Sequence, residues 1–162
     1  MTEDKLYQKI NSKVKKRILD LIRDNNQQAA IGTINIENYP LVTKVIPMLY
    51  NDTIFLLLSD LSEHTQNIRF KNKVGLYFSS KEIKKDKLNN ERVSLIGKIK
   101  KIEKEKEKIF SKNLLEKYSI IEPNAMIWGK FSDFNFYYFE NKETLYIKGF
   151  GKAFKTKENI FK

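Results

Sequence analysis

The sequence has no cysteine and only one histidine, and these two scarcities exclude several kinds of site. Without cysteine there is no disulfide, no thiolate metal site and no cysteine nucleophile. With His64 as the only imidazole, a zinc or iron centre that needs two histidine ligands is also excluded. No G-x-S-x-G turn, P-loop or G-x-G-x-x-G fingerprint is present. If this chain carries out chemistry, we therefore expect a bound cofactor to supply it.

Long apolar runs are missing as well. No window approaches the roughly 18 consecutive apolar residues that a membrane-spanning helix needs. The first ten residues, MTEDKLYQKI, are polar and lack the apolar segment of a secretory signal. We therefore expect a soluble cytoplasmic protein with no membrane partner.

Arginine is scarce, although the chain carries a net charge of +11. The basic residues are nearly all lysines, spread along the chain, with arginine only at positions 17, 23, 69 and 92. Sites that read bases favour arginine for its bidentate fork. A compositional bias toward lysine and asparagine explains the charge at least as well as a binding face, which argues against a nucleic-acid partner.

The periodicity of apolar residues predicts one domain over residues 1–162. Residues 3–24 place apolar side chains on one face and predict an amphipathic helix. From residue 28 to about 150 the pattern alternates with a period of two, as in a sheet. The predicted strands are 29–36, 39–50, 53–59, 74–80, 92–104, 134–140 and 143–150, with helices at 60–70 and 105–118. Asn141-Lys142 is interpreted as a hairpin turn between the last two strands.

Consecutive strands joined by tight turns, with no βαβ alternation, favour an α+β fold. We predict an antiparallel β-barrel with peripheral helices. Gly97, in the middle of a long predicted strand, indicates a bend or a bulge.

The stretch 56–72, LLLSDLSEHTQNIRFKN, is the best candidate for a cofactor site. A buried strand ends at Ser59 and a helix follows at once, with Asp60 as the expected N-cap and Glu63 at capping-box spacing. Free N–H groups at a helix start attract phosphate. The hydroxyls of Ser59, Ser62 and Thr65 are candidate ligands. Lys44, Arg69 and Arg92 are candidate cations if the barrel brings them near. The alternative is an ordinary strand–turn–helix whose polar residues face water.

Several motifs, in order, resemble one known superfamily over roughly residues 5–155. They are the strand–proline–strand hairpin, an L-x-S-x-L-x-x-H-x-x-N segment, the RVSLIG strand and a closing element. Ser59, Leu61, His64 and Asn67 represent the L-x-S-x-L-x-x-H-x-x-N segment. The closing element begins at Asp133-Phe134 and ends with residues 149–153, GFGKA. Together they are similar to the FMN-binding split-barrel proteins related to pyridoxamine 5′-phosphate oxidase, and most similar to the HugZ/HutZ-type haem-utilisation proteins.

The resemblance implies a six-stranded Greek-key split barrel that forms a homodimer, with FMN in a groove at the dimer interface. By position, Thr43 and Lys44 lie on the strand that contacts the flavin phosphate, and Ser59 ends the strand that touches the flavin. His64 and Thr65 fall where the oxidase branch has an Arg-Lys pair on the phosphate. Arg92 falls near a polar flavin contact.

Three functions follow as hypotheses. The first is an FMN-binding flavoprotein, an oxidoreductase of unknown substrate. The second is a haem-binding or haem-degrading protein. The resemblance implies that members of that type ligate iron through a C-terminal histidine, but no histidine follows residue 64 here. The axial ligand would then be His64, a tyrosine, or none. The third is a non-enzymatic basic barrel that binds a macromolecular partner. Trp128, Phe131 and Phe134 are interpreted either as part of the dimer interface or as core.

Overall fold

The computed structural model describes residues 6–83, 85–103 and 108–162. Four α-helices lie at α1 (Ser12–Asp24), α2 (Glu63–Phe70), α3 (Lys108–Ile121) and α4 (Ala125–Trp128), with short 3-10 helices at Asn26–Gln28 and Lys87–Asn89. The strands are β1 (Ala30–Ile34), β2 (Pro40–Lys44), β3 (Met48–Tyr50), β4 (Thr53–Ser59), β5 (Lys73–Ser79), β6 (Arg92–Lys101), β7 (Phe134–Gly149) and β8 (Lys152–Thr156).

All eight strands belong to one antiparallel sheet in the order β2-β1-β5-β6-β7-β4-β3, with β8 added to β7. The two end strands, β2 and β3, are joined only by residues 45–47, so the sheet must curl until its two ends meet. The predicted α+β fold with an antiparallel barrel is thereby confirmed. The described residues form eight strands, however, where the apolar pattern predicted seven and the resemblance implied six.

Apolar side chains form two clusters, one inside the barrel and one outside it. The inner cluster is closed by Ile18, Leu21 and Ile22 of α1. The outer cluster lies between β3, β4 and β7 on one side and α3 with α4 on the other, and is centred on Phe55, Leu114, Tyr118 and Phe136. Helices α3 and α4 are therefore held against the wall of the barrel next to the end of β4.

The N-terminal helix is shorter than the periodicity indicated. It begins at Ser12, where the side chain of Asn11 accepts a hydrogen bond from the backbone N–H of Val14 at 2.9 Å. The backbone of Gln8 instead pairs with β8, donating to Ala153 O at 2.9 Å and accepting from Lys155 N at 3.1 Å. Because these groups are engaged by a strand, the prediction of helix from residue 3 is wrong over residues 6–11. Residues 3–5 of that prediction lie outside the described residues.

The predicted hairpin at Asn141-Lys142 is wrong, because β7 continues through it. Strand β6 pairs with β7 on both sides, with Ile96 opposite Glu143 and Gly97 opposite Asn141, so Lys142 is the extra residue of a β-bulge. A Cβ at Gly97 would lie 2.1 Å from Glu140 O, which explains why glycine stands there. The bulge predicted at Gly97 is confirmed. It bends β7, whose first half pairs with β4 and whose second half pairs with β8.

Other boundaries also differ from the prediction. The tail after residue 150 showed no pattern, yet it forms β8 and then buries Ile160 and Phe161. Strand β6 ends at Lys101, before the end of the predicted strand 92–104. Residues 104–107 belong to that predicted strand and to the predicted helix 105–118, and they lie outside the described part of the chain.

No helix in the described ranges is long and apolar enough to cross a membrane.

Candidate functional site

The turn between β4 and α2 is fixed by a small network around Ser59. The Ser59 hydroxyl donates to Asp133 Oδ2 at 2.6 Å and accepts from the backbone N–H of Leu61 at 3.1 Å. The N–H of Asp60 donates to Asp133 O at 2.7 Å. These bonds hold residues 60 and 61 in a turn outside the helix. The N-cap is therefore Ser62, and the predictions of Asp60 as N-cap and of helix from residue 60 are wrong.

The first turn of α2 leaves donors for a ligand. Ser62 O accepts from Thr65 N at 3.0 Å and from Gln66 N at 3.1 Å, and the Ser62 side chain makes no capping bond. Within the described residues no acceptor reaches the N–H groups of Glu63 and His64. Free N–H groups at a helix N-terminus carry partial positive charge and favour an anion.

His64, in that first turn, is oriented by β2. Its Nδ1 lies 2.9 Å from the Thr43 hydroxyl, so Nε2 is the ring nitrogen left for another partner. Partial burial lowers the pKa of His64 from its ordinary value of 6.5. The imidazole is therefore neutral near pH 7 and contributes no positive charge to the site.

A cavity of about 340 Å³ lies between the start of α2 and helices α3 and α4; we call it the α2 cavity. Its polar side chains are Lys44, Ser59, Ser62 and His64. Its apolar and aromatic wall is formed by Val45, Ile46, Leu57, Leu58, Tyr118, Trp128 and Phe134. The volume falls within the range of roughly 300–1,000 Å³ that small-molecule sites occupy.

The aromatic side of this cavity is held by a hydrogen bond and a ring stack. Tyr118 donates its hydroxyl to Ile46 O, and burial raises its pKa well above the ordinary range, so the phenol stays protonated. Trp128 stacks on Phe134 with ring centroids 5.8 Å apart and planes at 21°. A flat wall of this kind suits a planar aromatic ligand.

Of the eight predicted site residues, five gather at the α2 cavity. Lys44, Ser59, Ser62 and His64 line it, and Thr43 contacts it through its bond to His64. Lys44 is the only cation among the described residues on its wall.

Three predicted residues lie elsewhere. The Thr65 hydroxyl is fully buried, and it has no hydrogen-bond partner among the described residues. Arg69 pairs with Asp60 at 3.1 Å and lines a different cavity at the far end of α2. Arg92 stands opposite Ile147, at the other end of β7 from Ser59, and donates to Leu88 O at 2.8 Å and Asn90 O at 3.2 Å.

The sequence pattern missed part of the wall. Tyr118 was only one position in a predicted helix, and Asp133 belonged to a motif with no assigned role. The aromatic run from Trp128 to Phe134 was the available signal, but its interpretation was left between interface and core. In the structure Trp128 and Phe134 are partly buried on the cavity wall, whereas Phe131 is 50% exposed.

The site as built can hold a planar ring with an attached anion. It offers an aromatic wall, two hydroxyls, free backbone N–H groups and one lysine. The described residues on its wall include no paired acid and base and no activated nucleophile, so they are suited to binding and orienting a group that carries the chemistry.

Comparison with known proteins identifies one matching family model, described as the CREG β-barrel, over residues 24–160. No curated protein matches the sequence. Among solved structures, Campylobacter jejuni ChuZ is 21% identical with a TM-score of 0.77; the match covers 93% of this chain and 62% of that one.

Two further structures share the fold. HutZ, the haem storage protein of Vibrio cholerae, is 13% identical with a TM-score of 0.64, and the match covers 83% of this chain and 91% of HutZ. The other is a Clostridium acetobutylicum protein of the pyridoxinephosphate oxidase family, related to general stress protein 26. It is 16% identical with a TM-score of 0.65, and the match covers 94% of this chain and 100% of that one. At these identities the likeness shows the fold alone.

Proposed function

Because the chain belongs to the CREG β-barrel family, within the FMN-binding split-barrel clan, we propose that it is an FMN-binding flavoprotein that acts as an oxidoreductase. The predicted resemblance to the split-barrel superfamily, including the haem-utilisation proteins, is confirmed at the level of family and fold. The proposal goes one step further and assigns the cofactor to the α2 cavity.

The observation that carries this proposal is the pairing of a helix start with a flat aromatic wall in one cavity. The free N–H groups of Glu63 and His64, the Ser62 hydroxyl and Lys44 form the anion-binding end. Trp128 and Phe134 form the wall against which a fused-ring system packs. FMN combines a phosphate with such a ring system, and these residues fit both parts.

A bound flavin would supply the chemistry, accepting and passing on electrons. The residues of this chain would bind and orient it. Ser59 is held by Asp133 and so presents its hydroxyl at a fixed position. Neutral His64, tethered to Thr43, would offer a hydrogen bond but no charge.

The absence of an arginine–lysine pair has a measurable consequence. With His64 and Thr65 at those positions, the two charge-assisted phosphate contacts of that pair are missing relative to the oxidase branch. Such a contact contributes about 1.5–3 kcal/mol, or roughly ten- to a hundred-fold in affinity. We therefore expect FMN to dissociate during purification and to rebind when it is added.

Haem is the second candidate, and His64 is the observation that favours it. Its Nδ1 is occupied by Thr43, while Nε2 is left for iron, which is the arrangement that orients metal-ligating histidines in proteins. The small volume of the cavity, about 340 Å³, favours the narrower flavin over a porphyrin.

We also propose that the protein is a homodimer. The aromatic segment beside the α2 cavity carries exposed apolar side chains, with Ile127 56% and Phe131 50% exposed. A partner packed on this segment would bury them and close the cavity next to Trp128. Analytical ultracentrifugation tests this directly, since a monomeric mass at micromolar concentration contradicts the dimer.

The cofactor is tested by titrating the purified protein with FMN and, separately, with haemin, while visible absorption and heat of binding are recorded. We expect saturable FMN binding with one flavin per chain. Replacing Lys44→Ala weakens FMN at least about tenfold, because it removes the cation on the cavity wall. Lys152→Ala, an exposed lysine on β8, is the matched control and leaves the affinity unchanged.

Haemin distinguishes the remaining hypotheses. A Soret shift that is lost in His64→Ala, with no FMN binding, supports the haem protein and contradicts the flavoprotein. If neither cofactor binds, both are wrong, and the third hypothesis, a basic barrel with a macromolecular partner, is the one left to test.

A further inference from the structure

A second cavity, of about 610 Å³, opens at the end of α2 that is remote from Ser62. We call it the α2–β6 cleft. It is bounded by residues 68–73, by the end of β6 from Ile99 to Lys101 with Glu103, and by Tyr137 of β7. The proposed flavin site does not use it, although its volume is well within the range of small-molecule sites.

The floor of the cleft is apolar and aromatic. Ile68, Ile99 and Tyr137 are all buried side chains that form part of its lining. Burial, with a further contribution from the Asp60 carboxylate, raises the pKa of Tyr137 to about 12, so its hydroxyl remains a hydrogen-bond donor. At the rim of the cleft the Phe70 ring is 64% exposed. Such a ring provides a stacking surface.

The walls of the cleft are strongly cationic. Five positively charged side chains line it against the single carboxylate of Glu103: Arg69, Lys71, Lys73, Lys100 and Lys101. Two further carboxylates lie close by. Asp60 is 3.1 Å from Arg69 and 3.9 Å from Lys101, and Glu140 is 2.8 Å from Lys100.

One of these cations faces another of the same sign. Lys73 on β5 stands directly opposite Lys98 on β6. Like charges opposite each other in a sheet are destabilising. Five cations therefore line the cleft, with three carboxylates on it or near it, Asp60, Glu103 and Glu140. An uncompensated positive excess next to an aromatic floor is a binding arrangement for an anion that also carries a ring.

The end of α2 does not account for this charge. Cations in the last turn of a helix stabilise its macrodipole, which explains Arg69 and Lys71. Lys73, Lys98 and Lys100 lie on strands, and the helix dipole gives no reason for them.

We propose that the α2–β6 cleft binds a nucleoside polyphosphate, with its phosphates held by Lys71, Lys73 and Lys101 and its base on Phe70 and the apolar floor. The Lys71 ammonium donates to the neutral Asn38 Oδ1, so its charge is not paired by that contact. Free nucleotides and single-stranded nucleic acid share this chemistry. A cleft of about 610 Å³ accommodates one nucleotide, so the structure favours the free molecule.

The test is calorimetric titration of the full chain at low salt with ADP, inorganic pyrophosphate and a ten-residue deoxythymidine oligonucleotide. We expect ADP to bind with one site per chain, more tightly than pyrophosphate, because the base adds contact with Phe70. The double variant Lys71→Ala/Lys73→Ala weakens ADP at least tenfold. The matched control Lys13→Ala/Lys16→Ala removes the same charge from the exposed face of α1 and changes the affinity less than twofold.

Each outcome decides the proposal. No ADP binding, or equal losses in the two double variants, overturns it, because the charge then acts only diffusely. Tighter binding of the oligonucleotide than of ADP overturns the free-nucleotide assignment in favour of nucleic acid. Equal binding of ADP and pyrophosphate, or no loss in Phe70→Ala, overturns the role of the aromatic rim. FMN titration of Lys71→Ala/Lys73→Ala separates the two sites, since we expect flavin affinity to be unaffected.

Discussion

At the scale of single residues, Gly97 is the position where the sheet tolerates the least change. A Cβ there would lie 2.1 Å from Glu140 O and 2.7 Å from the Phe139 ring. We expect Gly97→Ala to destabilise the protein by about 3 kcal/mol, since the backbone of β7 would have to move. Gly75→Ala on the neighbouring strand is the control, because its Cβ would meet Leu95 O at 3.8 Å. Chemical denaturation measures both, and equal effects would contradict the steric account.

His64 belongs to the same scale, because it links stability to pH through one side chain. Burial lowers its pKa in the folded protein below the ordinary value of 6.5. The unfolded chain therefore binds this proton more tightly, and stability is lost as the pH falls below that value. We expect wild type to lose stability relative to His64→Gln by up to about 1.4 kcal/mol per pH unit in that window. Urea midpoints measured between about pH 5 and pH 8 give the difference, and parallel curves would show that burial of His64 does not matter.

At the scale of secondary-structure elements, the β4–α2 turn depends on the contact between Ser59 and Asp133. The bond of 2.6 Å between them joins two segments far apart in sequence. We expect Ser59→Ala to destabilise the protein by about 1–2 kcal/mol and to weaken FMN, because both Asp133 and the Leu61 N–H lose a partner. Asp133→Asn keeps an acceptor oxygen and is expected to cost less. Thermal melts and FMN titration of the two variants test whether Ser59→Ala is the more damaging change. A larger effect of Asp133→Asn would contradict the prediction.

Elements that repeat a local pattern were predictable, and those defined by a remote partner were not. The apolar run of β4 is encoded locally. The turn before it is also encoded locally, by Asn51 and Asp52, which both have positive φ. The N-cap of α2 is Ser62 and not the predicted Asp60, because Asp133 holds residues 60 and 61 in a turn. Asn141-Lys142 has turn chemistry, yet its backbone stays paired with β6 and forms a bulge. In the site, hydroxyls and His64 could be predicted from a helix start, whereas Tyr118 and Trp128 reach the cavity only through the packing of α3 and α4.

At the scale of the whole molecule, α1 is held against the barrel by a partly buried carboxylate. Glu91 accepts hydrogen bonds from Arg17 Nε at 3.0 Å and 2.9 Å and from the Tyr146 hydroxyl at 2.6 Å. The tie joins α1 to β7 through the residue that precedes β6. It therefore holds the helix that closes the inner core in position against the sheet.

This tie predicts how the whole fold responds to acid. The hydrogen bonds from Arg17, and then that from Tyr146, lower the pKa of Glu91 below its ordinary value of 4.5. Its stabilising contribution is present above that value and is lost as the pH falls through the lower folded-state pKa. We expect Glu91→Gln to destabilise the protein by about 1.5–3 kcal/mol near pH 7 and to flatten the acid limb of the stability curve. Glu82→Gln, which breaks the exposed pair with Lys87, is the control and is expected to cost less than about 0.5 kcal/mol. Urea denaturation from neutral pH downward measures both variants, and an unchanged acid limb in Glu91→Gln would show that this carboxylate does not fasten α1 to the barrel.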